Sequence, residues 1–135
     1  MKAMRYITTD EIRRTLTMPE AIRDVREALV EQSTGRALVP ARTSLEVPGR
    51  RTTALVMPAC LPRAGRIGVK LISLCEDNPA RGLPLAQAVI VVMDAERGTP
   101  LAGLKPGRGS EEEITLFKCV GNAVEDLAVA GLVIG

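Results

Sequence analysis

The stretch from Gly65 to Asp94, GRIGVKLISLCEDNPARGLPLAQAVIVVMD, constrains the fold more than any other. It reads as two apolar strands, Ile67–Cys75 and Leu83–Met93, joined by a polar connection, Glu76–Gly82. Asn78-Pro79 and Gly82 suit a turn for different reasons: proline fixes φ, and glycine permits φ above zero. Each run is apolar on both pleat faces, the pattern of a sheet covered on two sides rather than wetted on one. One charge, Lys70, interrupts the first run between Val69 and Leu71. A lysine there must either snorkel to an edge or be held for a purpose.

The segments on either side place this pair in a larger sheet. Thr8-Thr9-Asp10 precedes a short helix, Glu11–Leu16, and Thr17-Met18-Pro19-Glu20 opens a longer one. Thr17 as N-cap with Glu20 three residues on is a capping box, and Pro19 suits the first turn. Ile22, Val25 and Leu29, with Ala21 and Ala28, are expected to form the apolar stripe of this helix, and Gly35 ends it. Ala37–Val47 and Thr52–Cys60 read as antiparallel strands around a Pro48-Gly49 turn. After the central pair, Asp94–Gly98 is a polar loop and Thr99–Leu104 a short last strand. Strands following helices without alternation predict an α+β fold: a largely antiparallel sheet of five to six strands, two N-terminal helices and one C-terminal helix, with no Rossmann domain. In the last part, Ser110 and Glu113 form a second capping box, and Ile114, Phe117, Val120, Val124, Leu127 and Ala128 fall on one helical face.

Composition removes several classes of function. The 135 residues carry a net charge of +2 with the cations dispersed, and Tyr6 and Phe117 are the sole aromatics, so nothing suggests a nucleic-acid partner. Histidine is absent, which excludes His-based acid–base chemistry and most zinc sites. Cys60, Cys75 and Cys119 are widely spaced and odd in number, as expected of buried free thiols in a reducing compartment. The charged N-terminus does not read as a signal peptide, and Ala86–Met93 is too short to span a membrane. A cytoplasmic protein is the expectation.

Several motifs together resemble the ornithine cyclodeaminase/mu-crystallin family. They are Met18-Pro19-Glu20-Ala21-Ile22, Pro40-Ala41-Arg42-Thr43, Ala54-Leu55-Val56-Met57-Pro58-Ala59, Gly68-Val69-Lys70-Leu71 and Asp77-Asn78-Pro79-Ala80-Arg81-Gly82-Leu83-Pro84. Asp94-Ala95-Glu96 with Gly98 and Pro100-Leu101 continues the series. Glu113-Ile114-Thr115-Leu116-Phe117-Lys118 and Val120-Gly121-Asn122-Ala123-Val124-Glu125-Asp126 complete it. The resemblance implies an NAD(P)-dependent, two-domain parent such as an ornithine cyclodeaminase, alanine dehydrogenase or ketimine reductase. In that family the first part of the chain and the final helix form a substrate-binding and dimerising domain, and a Rossmann domain lies between them.

Here that insertion has no room. Residues 1–104 match the first part and 114–135 the final helix, and only Lys105–Glu113 lies between, where two βαβ halves cannot fit. Gly107-Arg108-Gly109 is an incomplete glycine fingerprint: Glu112 occupies the third glycine's place, and the neighbouring carboxylates would repel a pyrophosphate. No cofactor is therefore expected in this chain, with NAD(P) belonging to the full-length family. The resemblance carries Arg42, Met57 and Lys70 into a substrate pocket, the two cations facing a carboxylate and Lys70 the candidate catalytic group. Two adjacent, desolvated cations would make Lys70 destabilising, so that Lys70→Met would raise the melting temperature. Leu55 and Leu85 replace polar residues common in cyclodeaminases and disfavour ornithine itself. Glu125 and Asp126 are expected to be solvated or capping residues.

The leading expectation is thus an isolated substrate-binding and dimerisation domain, a homodimer through its sheet with a small carboxylate ligand and no membrane or nucleic-acid partner. A ligand carrier of mu-crystallin type and a residual enzyme using Lys70 are the alternatives.

Overall fold

The computed structural model describes residues 5–104 and 123–134. Strand β1 (Arg5–Ile7) leads into helices α1 (Thr9–Thr15) and α2 (Met18–Ser33). Strands β2 (Thr43–Glu46), β3 (Thr52–Leu61), β4 (Arg66–Cys75), β5 (Ala86–Asp94) and β6 (Pro100–Leu104) follow, and α3 (Ala123–Ile134) ends the described chain. The expected α+β class holds. Among the described residues no helix is long and apolar enough to cross a membrane. The anticipated start of the last helix, between 110 and 122, and Cys119 lie outside the described residues.

Local chemistry sets the helix starts. The Thr8 hydroxyl accepts a hydrogen bond from the Glu11 amide, and the Glu20 carboxylate accepts one from the Thr17 amide at 2.9 Å. The predicted capping box is present, and Thr17's two donors hold the Glu20 carboxyl below its usual pKa.

The sheet has the order β1-β6-β5-β4-β3-β2, so strands β2 to β6 are successive antiparallel neighbours. β1 closes the far edge, parallel to β6, with Arg5 beside Ala102. The turn between β4 and β5 works as the sequence implied. Asn78 is buried and donates to the Pro84 carbonyl at 3.0 Å, while Gly82 adopts φ of 70°. Leu83–Leu85 stays in this connection, so β5 starts at Ala86. Ala37–Arg42 is likewise not ladder, apart from a bridge between Leu38 and Cys60.

The two sheet faces differ in what covers them. Leu55, Met57, Ala59 and Leu61 of β3 share one face with Gly68, Lys70 and Ile72 of β4 and with Ile90 and Val92 of β5. All are buried, and α3 packs across them. α2 packs in turn on α3, which makes α3 the middle layer between the sheet and the N-terminal helix. Every described residue of α3 is buried or half-buried, as a helix apolar all round requires.

This layering corrects the expected stripe of α2. Ala21 and Ala28 are buried, but Ile22 is 54% and Leu29 39% exposed. Small side chains let α2 approach α3, and the larger ones at Ile22 and Leu29 stay on the outer side. Cys60 and Cys75 are half-buried free thiols rather than core residues.

Gly68 is required by the same closeness. A Cβ built there would stand 2.8 Å from Leu127 Cδ1 and 3.3 Å from Leu127 Cβ. Glycine in mid-strand lets the helix backbone descend onto the sheet. Gly68→Ala should therefore cost about 1–3 kcal/mol in urea unfolding, because Leu127 is 1% exposed and has nowhere to move. Combined with Leu127→Ala, the glycine substitution should lose much of that cost, a non-additivity read from the double-mutant cycle.

Candidate ligand site

Lys70 lies in the middle of β4, opposite Met57 on β3 and Ile90 on β5. Strand alternation turns it to the helix-covered face, where it is 3% exposed. A charge so placed needs a counter-charge, and the α3 helix supplies it: Lys70 Nζ donates to Asp126 Oδ2 at 2.9 Å. Asp126 is itself 2% exposed, and its second oxygen, Oδ1, is buried without a hydrogen-bond partner among the described residues. Burial pushes the Asp126 carboxyl up to about 6, the hydrogen bond and charge of Lys70 pull it partly back, and Glu125 adds a smaller upward push.

The structure brings two of the three sequence-derived residues together. Met57 and Lys70 are cross-strand partners. Arg42 is exposed in the extended stretch before β2, one residue ahead of Thr43, which pairs with Val56 beside Met57. No pair of adjacent unpaired cations forms: Lys70 has an acidic partner in the core. The expectation of a solvated or capping Asp126 is corrected as well. Its position had a readable signal, since Ala123, Ala130 and Val133, at helical spacing from it, are all buried.

The opposite face of the sheet is apolar and open. Val56, Leu71 and Val89 form one cross-strand row, Pro58, Val69 and Val91 the next, and Cys60, Ile67 and Met93 a third. Val56 is 37% and Leu71 46% exposed. Together the three rows make one contiguous apolar surface. A cleft of about 310 Å³ also lies between α2 and α3, lined by Asp24, Glu27, Glu31, Arg66 and Leu127, but it includes none of Arg42, Met57 and Lys70. Among the described residues no group of acidic or sulfur ligands could hold a metal ion.

The model of the ornithine cyclodeaminase/mu-crystallin family matches residues 2–103 and 101–134. The chain belongs to that family. A Delta(1)-pyrroline-2-carboxylate reductase of Bacillus cereus is 31% identical over 102 residues, which cover 76% of this chain and 31% of that protein. The fold is similar to that of Thermococcus litoralis Delta(1)-pyrroline-2-carboxylate reductase in complex with NADH and L-proline. That likeness has a TM-score of 0.70 at 33% identity and covers 76% of this chain and 32% of the other. An archaeal alanine dehydrogenase dimer with bound NAD gives a TM-score of 0.67 at 30% identity, covering 76% and 31%. This member of the family thus spans about a third of the length of the relatives that it matches.

The buried pair sets two expected outcomes. Lys70→Met strands the Asp126 carboxyl in the core and should destabilise the fold by about 3 kcal/mol or more at neutral pH. That reverses the effect anticipated from two facing cations. The double variant Lys70→Met/Asp126→Leu, with both charges gone, should recover most of the loss in a urea melt.

The pH dependence has a definite sign. The folded carboxyl keeps its proton to a higher pH than the unfolded one, whose ordinary value is 3.8. The contribution of this group to stability is therefore largest below about pH 4 and is lost as pH rises through about 6. Relative to Asp126→Asn, which cannot titrate, the parent should lose up to about 3 kcal/mol between these limits, read from urea midpoints across the range.

Proposed function

We propose that this chain is the substrate-binding and dimerising half of an NAD(P)-dependent amino- or imino-acid oxidoreductase or deaminase, without the nucleotide-binding domain. The observation that carries the proposal is the abutment of the two matched segments, 2–103 and 101–134, at one point of the chain. The described residues on both sides of that point, β6 and α3, belong to a single packed unit. A doubly wound nucleotide domain needs successive parallel strands, and the sole parallel pair among the described strands is β1 with β6.

In this reading Arg42, Met57 and Lys70 face a small carboxylate ligand, with the lysine ammonium as the central donor. The open apolar face of Val56, Val69, Leu71, Val89 and Val91 is the surface on which a second copy seats. The alanine dehydrogenase to which this chain is similar is a dimer, which supports the pairing. By itself the domain turns over no dinucleotide.

Light scattering at micromolar concentration tests the pairing: a dimer mass is expected, and Leu71→Lys should shift it to the monomer by placing a charge in the middle of the patch. A monomer mass for the parent would refute it. Titration of NADH should give no saturable blue-shifted emission at micromolar protein, and tryptophan background is absent because the chain has none. A saturating signal would show that a nucleotide site exists after all.

A further inference from the structure

The cleft between α2 and α3 combines two kinds of lining. Asp24, Glu27 and Glu31 follow one another along α2, three and then four residues apart, and residues so spaced share one side of a helix. Leu61, Leu127 and Leu132 add apolar surface. Among the described residues lining the cleft three are thus acidic and one, Arg66, is basic, so it is locally negative in a chain of net charge +2. The acidic row rises about 10 Å from first residue to last, too far to converge on one ion. Among the described residues no group could hold a metal.

Two observations separate this cleft from a solvated acidic face. The Glu31 side chain is 13% exposed, and its Oε2 is buried without a hydrogen-bond partner among the described residues. Its ion pair with Arg63, at 3.9 Å, is too long to be a hydrogen bond. Gly131 lies within α3 without a positive φ, and a Cβ built there would meet nothing within 4 Å. Glycine inside a helix is destabilising, and neither backbone geometry nor close packing calls for it here. Its missing side chain leaves room in the cleft, whose volume of about 310 Å³ is that of a small-molecule site.

We infer that the cleft binds a linear aliphatic polyamine, with the ammonium groups on the acidic row and the methylenes on the leucines. Spermidine separates its amines by three and by four methylenes. Those spacers are close in length to the rises of about 4.5 and 6 Å from Asp24 to Glu27 and from Glu27 to Glu31. The terminal torsion of glutamate is soft, so the Glu31 carboxyl can turn either oxygen to an ammonium. Arg23 holds Asp24 at 3.3 Å and Arg63 holds Glu31, but these guanidinium side chains are 60% and 72% exposed. Ion pairs of that exposure are weak enough to yield to a ligand. The cleft shares no residue with Arg42, Met57 and Lys70, so the inference is independent of the carboxylate-site reading.

The compound 1,8-diaminooctane has the length and terminal amines of spermidine, with methylene in place of the central nitrogen. The full chain is titrated calorimetrically with each at about pH 7.5 and constant ionic strength. The parent should bind spermidine at least about tenfold more tightly than the diamine. Glu27→Gln should bring the two to within about threefold, whereas Glu46→Gln, on exposed β2, should leave the preference intact. Gly131→Leu should fill the cleft and abolish binding of both compounds; Ala64→Leu, on the cleft rim, serves if that variant does not fold. No binding of spermidine by the parent, equal affinity for both compounds, or an undiminished preference in Glu27→Gln would overturn the inference. So would unchanged binding in a folded cleft-filling variant, which would show adsorption to the acidic surface only.

Discussion

The contact between α3 and the covered face of the sheet is the one on which the other layers depend. Leu127 descends onto Gly68, Lys70 reaches up to Asp126, and α2 reaches the core by packing on α3. Apolar burial supplies most of the attraction, at about 1.5–3 kcal/mol for each fully buried leucine or valine. The ion pair supplies something different. Two desolvated charges paired in this way add little net stability, but they penalise any rotation or slip of the helix that parts them. Hydrophobic packing thus holds α3 down, and the pair fixes where along the sheet it sits.

Much of this arrangement can be read before any coordinates, because it rests on short-range chemistry. The capping box at Thr17 and Glu20, the Pro48-Gly49 turn and the Asn78–Gly82 connection are local devices, and each appears where its residues stand. Lys70 is legible for a related reason: a charge inside a strand that is apolar on both faces has no cheap location. What it is paired with is not legible, because the partner lies 56 positions away on another element. The family pattern supplied Arg42 as a neighbour, whereas the fold supplies Asp126.

The stripe on α2 holds only in part: Ala21, Val25 and Ala28 pack on the core, whereas Ile22 and Leu29 do not. Periodicity identifies which residues share a helix face, but it favours the bulkier apolar set as the buried one. Here the buried set is alanine, since the neighbour is a helix approached closely rather than a sheet. β1 is missed on other grounds: at three residues, Arg5–Ile7 is too short to show alternation, and its placement comes from pairing with β6 at the other end of the sheet.

The position of α3 as the middle layer also bears on how the molecule is made. Its sheet and N-terminal helices are synthesised first, yet neither can bury its apolar surface until the last described element arrives between them. Closure therefore waits on contacts of long sequence separation, such as Lys70 with Asp126 and Gly68 with Leu127. A ribosome-bound intermediate would expose both sheet faces at once, one awaiting its helix and the other permanently apolar, and that is the stage at which the chain is most open to aggregation.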